Sequence, residues 1–116
     1  YGPMVDTCLE AAKEASQEGR KLEVIDVRSL SPLDMATVYE SVRRTTRAIV
    51  VPAAPRTQGA GAESAARPGE ALQSVMEAPV LRVTGWSTPY PPAKAEGEHI
   101  PDVDRILDAV DRSLAF

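Results

Sequence analysis

The sequence predicts a three-layer α/β/α domain built on a mostly parallel sheet. Apolar residues at helical spacing alternate with short β-branched runs, giving the order helix, strand, helix, strand, helix, strand, helix. The runs are nearly continuous, as in strands covered on both faces, and lack the alternation of a half-exposed sheet. Aromatic residues make up only 4% of the chain, so the core must be aliphatic. With right-handed crossovers that order yields parallel strands with helices on both faces. A length of 116 residues fits one domain, residues 1–116.

The first helix is expected over about Val5 to Gln17, with Val5, Cys8, Leu9 and Ala12 as its apolar stripe and Gly19 as its C-terminal stop. Leu22 to Val27 reads as the first strand. Ser31-Pro32-Leu33-Asp34 opens the second helix, with Ser31 as N-cap, Pro32 at the first helical position and Asp34 closing a capping box. Leu33, Val38 and Val42 form its buried side, and it fades near Thr45. Ala48 to Val51 is the second strand, stopped by Pro52, and Pro52 to Gly61 is a loop. A third helix begins near Gly61 or Ala62, breaks or kinks at Pro68-Gly69, and leaves a further piece over Glu70 to Met76. Val80 to Val83 is the third strand, and the stretch from Thr84 to Ile100, with Pro89, Pro91, Pro92 and Gly97, reads as surface loop. The last helix starts with Asp102 as N-cap, carries Val103, Ile106, Leu107, Val110 and Leu114 on one face, and pairs Asp108 with Arg112. Tyr1-Gly2-Pro3 looks like the turn leaving a strand, so the sheet is expected to lack its first strand here.

Composition narrows the function classes. The net charge is −4, and the densest basic group, Arg43-Arg44 with Arg47, is read as charge complementing a helix C-terminus, so nucleic acid is not an expected partner. No apolar run approaches a membrane span. The single cysteine, Cys8, allows no internal disulfide and reads as a small buried hydrophobe, and the expected compartment is cytoplasmic.

The residue pattern carries no catalytic, cofactor-binding or metal-binding constellation, and none is expected. His99 is the sole histidine and reads as a solvated side chain beside Glu96 and Glu98. Gly59-Ala60-Gly61 follows a strand and precedes a helix, like part of a nucleotide-binding glycine loop. It lacks the third glycine and the later acidic residue, and reads better as a place where backbone approaches a neighbouring element. Trp86 and Tyr90 flank Thr88-Pro89, a composition suited either to a contact surface or to a loop folded onto its own domain.

An ordered set of motifs is more specific. It runs through Tyr1-Gly2-Pro3-Met4-Val5, then Val24-Ile25-Asp26-Val27-Arg28-Ser29-Leu30-Ser31-Pro32-Leu33-Asp34. Ala54-Pro55-Arg56-Thr57 and Gly61-Ala62-Glu63 with Ala65-Ala66-Arg67 follow, then Ala78-Pro79-Val80-Leu81-Arg82-Val83 and Thr88-Pro89-Tyr90-Pro91. Pro101-Asp102-Val103-Asp104-Arg105-Ile106 and Phe116 complete it. In this order the set resembles the C-terminal, transketolase C-terminal-like domain of the β subunit of a 2-oxo acid dehydrogenase (E1), of the branched-chain or pyruvate type. The C-terminal domains of transketolase and deoxyxylulose-phosphate synthase are similar in outline, and a free-standing flavodoxin-like module binding a small ligand at Gly59–Gly61 is the alternative. The chain departs from the E1 pattern at Pro52-Ala53, where His-Glu is usual, at Gln58 and Ala60 before Gly61, and at Ser64 and Pro68, where apolar residues are usual. These departures fit either a divergent homologue or a surface altered by engineering.

The resemblance implies a fragment of a longer oxidoreductase, an α2β2 heterotetramer that decarboxylates a 2-oxo acid and passes the acyl group to lipoyl on E2. Thiamine diphosphate and Mg would belong to the parent enzyme and not to this domain. The implied partners are the E1 α subunit, a second β subunit and the E2 subunit-binding domain. The implied partner-binding residues are Phe116 and Glu77.

Overall fold

A computed structural model describes residues 1–57 and 59–116. Helix α1 spans Met4–Gln17 and ends in a Schellman arrangement. Gly19, at φ 78°, lets its own N–H reach Ser16 O and the Arg20 N–H reach Ala15 O, at 3.1 and 2.9 Å. The buried side of α1 differs from the expected stripe: Met4, Ala11 and Ala15 are buried, Cys8 is half-buried and Leu9 is exposed. Hydrophobicity alone favours Leu9 over alanine. The facing helix α5 (Val103–Leu114) selects small residues instead, because Ala11 meets Ala109 and Ile106 in the core and larger side chains would hold the two helices apart.

Leu22–Val27 takes part in no ladder among the described residues, contrary to the strand expected there. A strand exists by pairing, and this segment is tied by its side chains: Glu23 accepts from Ser41 Oγ at 2.8 Å and from Arg44 Nη2 at 3.0 Å. Both partners lie on helix α2 (Met35–Thr45). That helix starts later than expected. Leu30 and Leu33 form an antiparallel bridge that places Ser31-Pro32 in the turn before it. Asp34, not Ser31, is the N-cap, accepting from Ala36 N at 3.1 Å and Thr37 N at 3.5 Å, while the Thr37 hydroxyl donates to its second oxygen.

Strand β1 (Ile49–Val50) pairs in parallel with β2 (Leu81–Arg82), Ile49 opposite Leu81. Flanking bonds from Leu81 N to Ala48 O and Val83 N to Val50 O extend the ladder over the runs the sequence predicts. Helix α3 (Ala60–Ala71) connects the strands and packs on both, with α2 beside it. Helix α5 packs on β2 with α1 beside it. The layers are therefore α3 with α2, the parallel pair, and α5 with α1.

The expected break at Pro68-Gly69 does not occur. Pro68 removes one donor, from the bond to Ser64 O, yet its carbonyl still accepts from Leu72 N at 2.9 Å and α3 continues to Ala71. The proline ring is fully buried, so packing offsets the missing bond. The expected helical piece beyond Glu70 reduces to turns after Ala71. The Thr84–Ile100 stretch is not wholly loop: it holds a 3-10 turn, Ala93–Ala95, and a one-turn helix α4, Glu96–His99. Pro92 leads into that turn and the alanines continue it. The core joins Ala11, Val83, Ile106 and Ala109 with Cys8, Ile49, Val51, Leu81, Val103 and Leu107 around them.

Candidate functional site

The two residues singled out for partner binding are joined through a third. Helix α2 ends at Thr46, which takes the left-handed conformation (φ 60°) and directs Arg47 out of the helix axis. The Arg47 guanidinium bonds Glu77 Oε2 at 2.5 Å and donates through Nε to Ser113 O at 3.1 Å. Ser113 O is one of the terminal carbonyls that α5 cannot satisfy internally, so Arg47 both caps that helix and complements its dipole. Glu77 is held further by its backbone N–H, which donates to Thr46 O at 3.0 Å. One arginine thus links Glu77 to the last turn of α5, immediately before Leu114 and Phe116.

The hydrogen bond from Arg47, aided by the Thr46 hydroxyl and the guanidinium charge, lowers the Glu77 pKa below the ordinary glutamate value. Its side chain nevertheless remains 58% exposed. Phe116 is 67% exposed and Leu114 50% exposed, so this end of the molecule presents apolar surface beside a fixed carboxylate. Arg47 escaped the sequence reading, which grouped it with Arg43 and Arg44 as helix-end charge. Arg43 and Arg44 do lie in the last turn of α2. Arg47 makes its bonds to residues 30 and 66 positions away, and no local pattern marks them.

His99 is not solvated, as the sequence suggested, but 4% exposed. The single turn of α4 carries it inward against Gly85, where a Cβ would lie 3.2 Å from His99 Nε2 and 2.5 Å from Ala53 O. Tyr90 lies edge-on to it with ring centroids 5.0 Å apart. Trp86 and Tyr90 combine both roles considered for them. Their polar tips bond back, Trp86 Nε1 to Glu98 O at 3.1 Å and Tyr90 Oη to Glu96, while both rings stay largely exposed.

The two glycines at the start of α3 serve different ends: Gly59 takes a left-handed φ of 82°, and Gly61 serves packing. A Cβ on Gly61 would come within 2.7 Å of Pro52 Cγ, so its hydrogen lets α3 lie directly on the end of β1. Pro52 and Pro68 are fully buried, and Ser64 Oγ donates to Ala60 O at 2.7 Å, so these departures from the E1 pattern act within this domain. Gln58 lies outside the described residues. Among the described residues no group of three or more His, Cys, Asp or Glu side chains is placed to hold a metal ion. No helix among them is long and apolar enough to cross a membrane.

Comparison with known proteins supplies a context for this geometry. The transketolase C-terminal domain family matches residues 1–106. The chain is 53% identical, over all of its length, to 34% of the pyruvate dehydrogenase E1 component subunit beta of Leifsonia xyli subsp. xyli. It is 49% identical, over 98% of its length, to 33% of the 3-methyl-2-oxobutanoate dehydrogenase subunit beta of Mycobacterium tuberculosis. It is 40% identical, over its full length, to 36% of the pyruvate dehydrogenase E1 component subunit beta of Staphylococcus epidermidis. The chain therefore spans about a third of the length of these curated relatives.

Proposed function

The chain belongs to the transketolase C-terminal domain family, and from that premise we propose that it is the C-terminal domain of a 2-oxo acid dehydrogenase E1 β subunit, serving assembly and E2 docking. The parent would be an oxidoreductase of the cytoplasm acting on pyruvate or a branched-chain 2-oxo acid, with thiamine diphosphate and Mg held outside this domain. Its partners would be the E1 α subunit, a second β subunit and the subunit-binding domain of E2.

The observation that carries the docking assignment is the Glu77–Arg47–Ser113 linkage. It holds the Glu77 carboxylate, whose side chain stays partly exposed, beside the last turn of α5, which leads to the exposed Phe116. A small basic domain could set a cation against Glu77, with the Phe116 ring as an apolar anchor beside it. Because the charges are exposed, the contact would weaken with salt.

The test is binding of a purified E2 subunit-binding domain to assembled E1 by calorimetry. The comparison sets the unmodified enzyme against E77Q and F116A. Each change is expected to cost roughly 1–3 kcal/mol, the scale of a charged hydrogen bond or an aromatic anchor. Unchanged affinity in both would remove this end of the domain from docking.

A further inference from the structure

A second surface lies at the carboxyl end of β2, away from the Glu77 end. An open groove of about 540 Å³ runs between the loops after the two strands and the first turns of α5. Four arginines, Arg56, Arg82, Arg105 and Arg112, line it together with Trp86 and the carboxylates of Asp102, Asp104 and Asp108.

Arg112 is paired with Asp108, whereas Arg82 and Arg105 are held but not neutralised. Arg82 Nη1 donates to Arg56 O at 3.0 Å, and Arg105 Nη2 donates to Thr84 O at 2.5 Å. Both acceptors are uncharged carbonyls, and among the described residues none of Arg56, Arg82 or Arg105 pairs with a carboxylate. Arg105 Nη1 is buried without any hydrogen-bond acceptor, an unmet donor that a protein does not leave without cost. The Arg105 guanidinium also lies 4.7 Å from the Trp86 ring centroid and occupies one face of it. Trp86 remains 55% exposed, and its Nε1 bond to Glu98 O holds the ring in place. The result is a group of three arginines without carboxylate partners, two of them held by backbone carbonyls, beside a fixed aromatic ring on a chain whose net charge is −4.

We propose that this groove docks an acidic polypeptide segment, with carboxylates on Arg56 and Arg82 and an adjacent apolar side chain on the open part of Trp86. Charge complementarity selects carboxylates, and the guanidinium forks match their geometry. An extended segment suits the groove better than a compact anion does. A chain can space its acidic groups to meet the arginines and keep them from Asp104 and Asp108, whereas a compact multiply charged ion cannot separate its charges in this way.

Trp86 is the only tryptophan of the chain and reports on the groove directly. The probe is the acetylated, amidated hexapeptide Asp-Glu-Leu-Leu-Glu-Asp, titrated against the 116-residue chain while Trp86 emission is followed. Saturable binding is expected, weakening as salt is raised. R56E should weaken it about tenfold or more, since an exposed carboxylate replaces a cation while the Arg56 carbonyl that Arg82 uses is kept. R82Q, with its fold checked by circular dichroism, should weaken it in the same direction. Three results would overturn the proposal: no saturable response, equal binding of the peptide with lysines in place of its acidic residues, or equal affinity in R56E and R82Q. Inorganic phosphate is the last arm. If it binds as tightly as the peptide and competes with it, the groove is a compact-anion site and the docking proposal fails.

Discussion

Replacing two glycines of one helix by alanine should have opposite effects. Gly61 and Gly69 both lie in terminal turns of α3, so the gain in helix propensity from alanine, at most about 1 kcal/mol, applies to each and cancels in their comparison. What remains is the environment of the new methyl group. At Gly69 nothing lies within 4 Å, whereas at Gly61 the methyl would sit 2.7 Å from Pro52 Cγ and 3.2 Å from Pro52 Cβ. Carbon atoms pack at roughly 3.5–4.0 Å, so α3 must retreat from β1 by about 1 Å. The proline ring is buried and cannot swing aside as a flexible side chain would. Overpacking of this kind costs roughly 1–3 kcal/mol, which is the expected stability gap between G69A and G61A. For a domain of this size it corresponds to melting temperatures separated by about 4–12 °C. Far-UV circular dichroism melts and urea transitions of the two variants measure the gap. Coincident transitions, or G61A the more stable, would refute the claim that Gly61 exists for close packing.

Three further outcomes follow from the same structure. The Glu77 carboxyl should titrate below the ordinary glutamate range, and R47A should return it upward, as followed by carbon NMR. Because the folded pKa is depressed, the stability linked to Glu77 is present above the ordinary value and is lost as pH falls through the depressed one; E77Q should remove that part of the acid dependence. Asp102 accepts from Arg105 N at 2.8 Å as the cap of α5, so D102A should destabilise by about 1 kcal/mol while D102N largely preserves the melting temperature. Adding thiamine diphosphate with Mg to the chain should leave its melting temperature unchanged and produce no turnover of a 2-oxo acid; a concentration-dependent rise would reopen cofactor binding by this domain.

Legibility in the sequence followed the range of the interaction. Gly19 and Asp102 terminate helices through bonds to residues within a few positions, and both were readable without a structure. Asp108 and Arg112 pair one helical turn apart, at 3.5 Å, for the same reason. The apolar runs around Ile49 and Leu81 announced strands because a buried parallel sheet needs β-branched and aliphatic residues on both faces.

Where two signals competed locally, only three-dimensional packing chose between them. Ser31 carries the cap signal with Asp34 closing its box, yet the Leu30–Leu33 bridge delays the helix and passes the cap itself to Asp34. Pro68 carries a strong breaking signal, yet its buried ring keeps it inside α3. Leu9 outranks Ala11 in hydrophobicity, but a close approach of α1 to α5 needs the smaller residue. His99, flanked by acidic residues, reads as surface until α4 turns it against the bare backbone of Gly85. Local sequence by itself determined the Gly19 stop of α1, the Asp102 cap of α5, the strands around Ile49 and Leu81 and, through the ordered motifs, the family, because each is encoded in neighbouring residues. Tertiary structure alone decided which faces are buried, and it alone joined Arg47 to Glu77 and Ser113 and gathered Arg56, Arg82 and Arg105 beside Trp86, because these meetings depend on how distant elements pack.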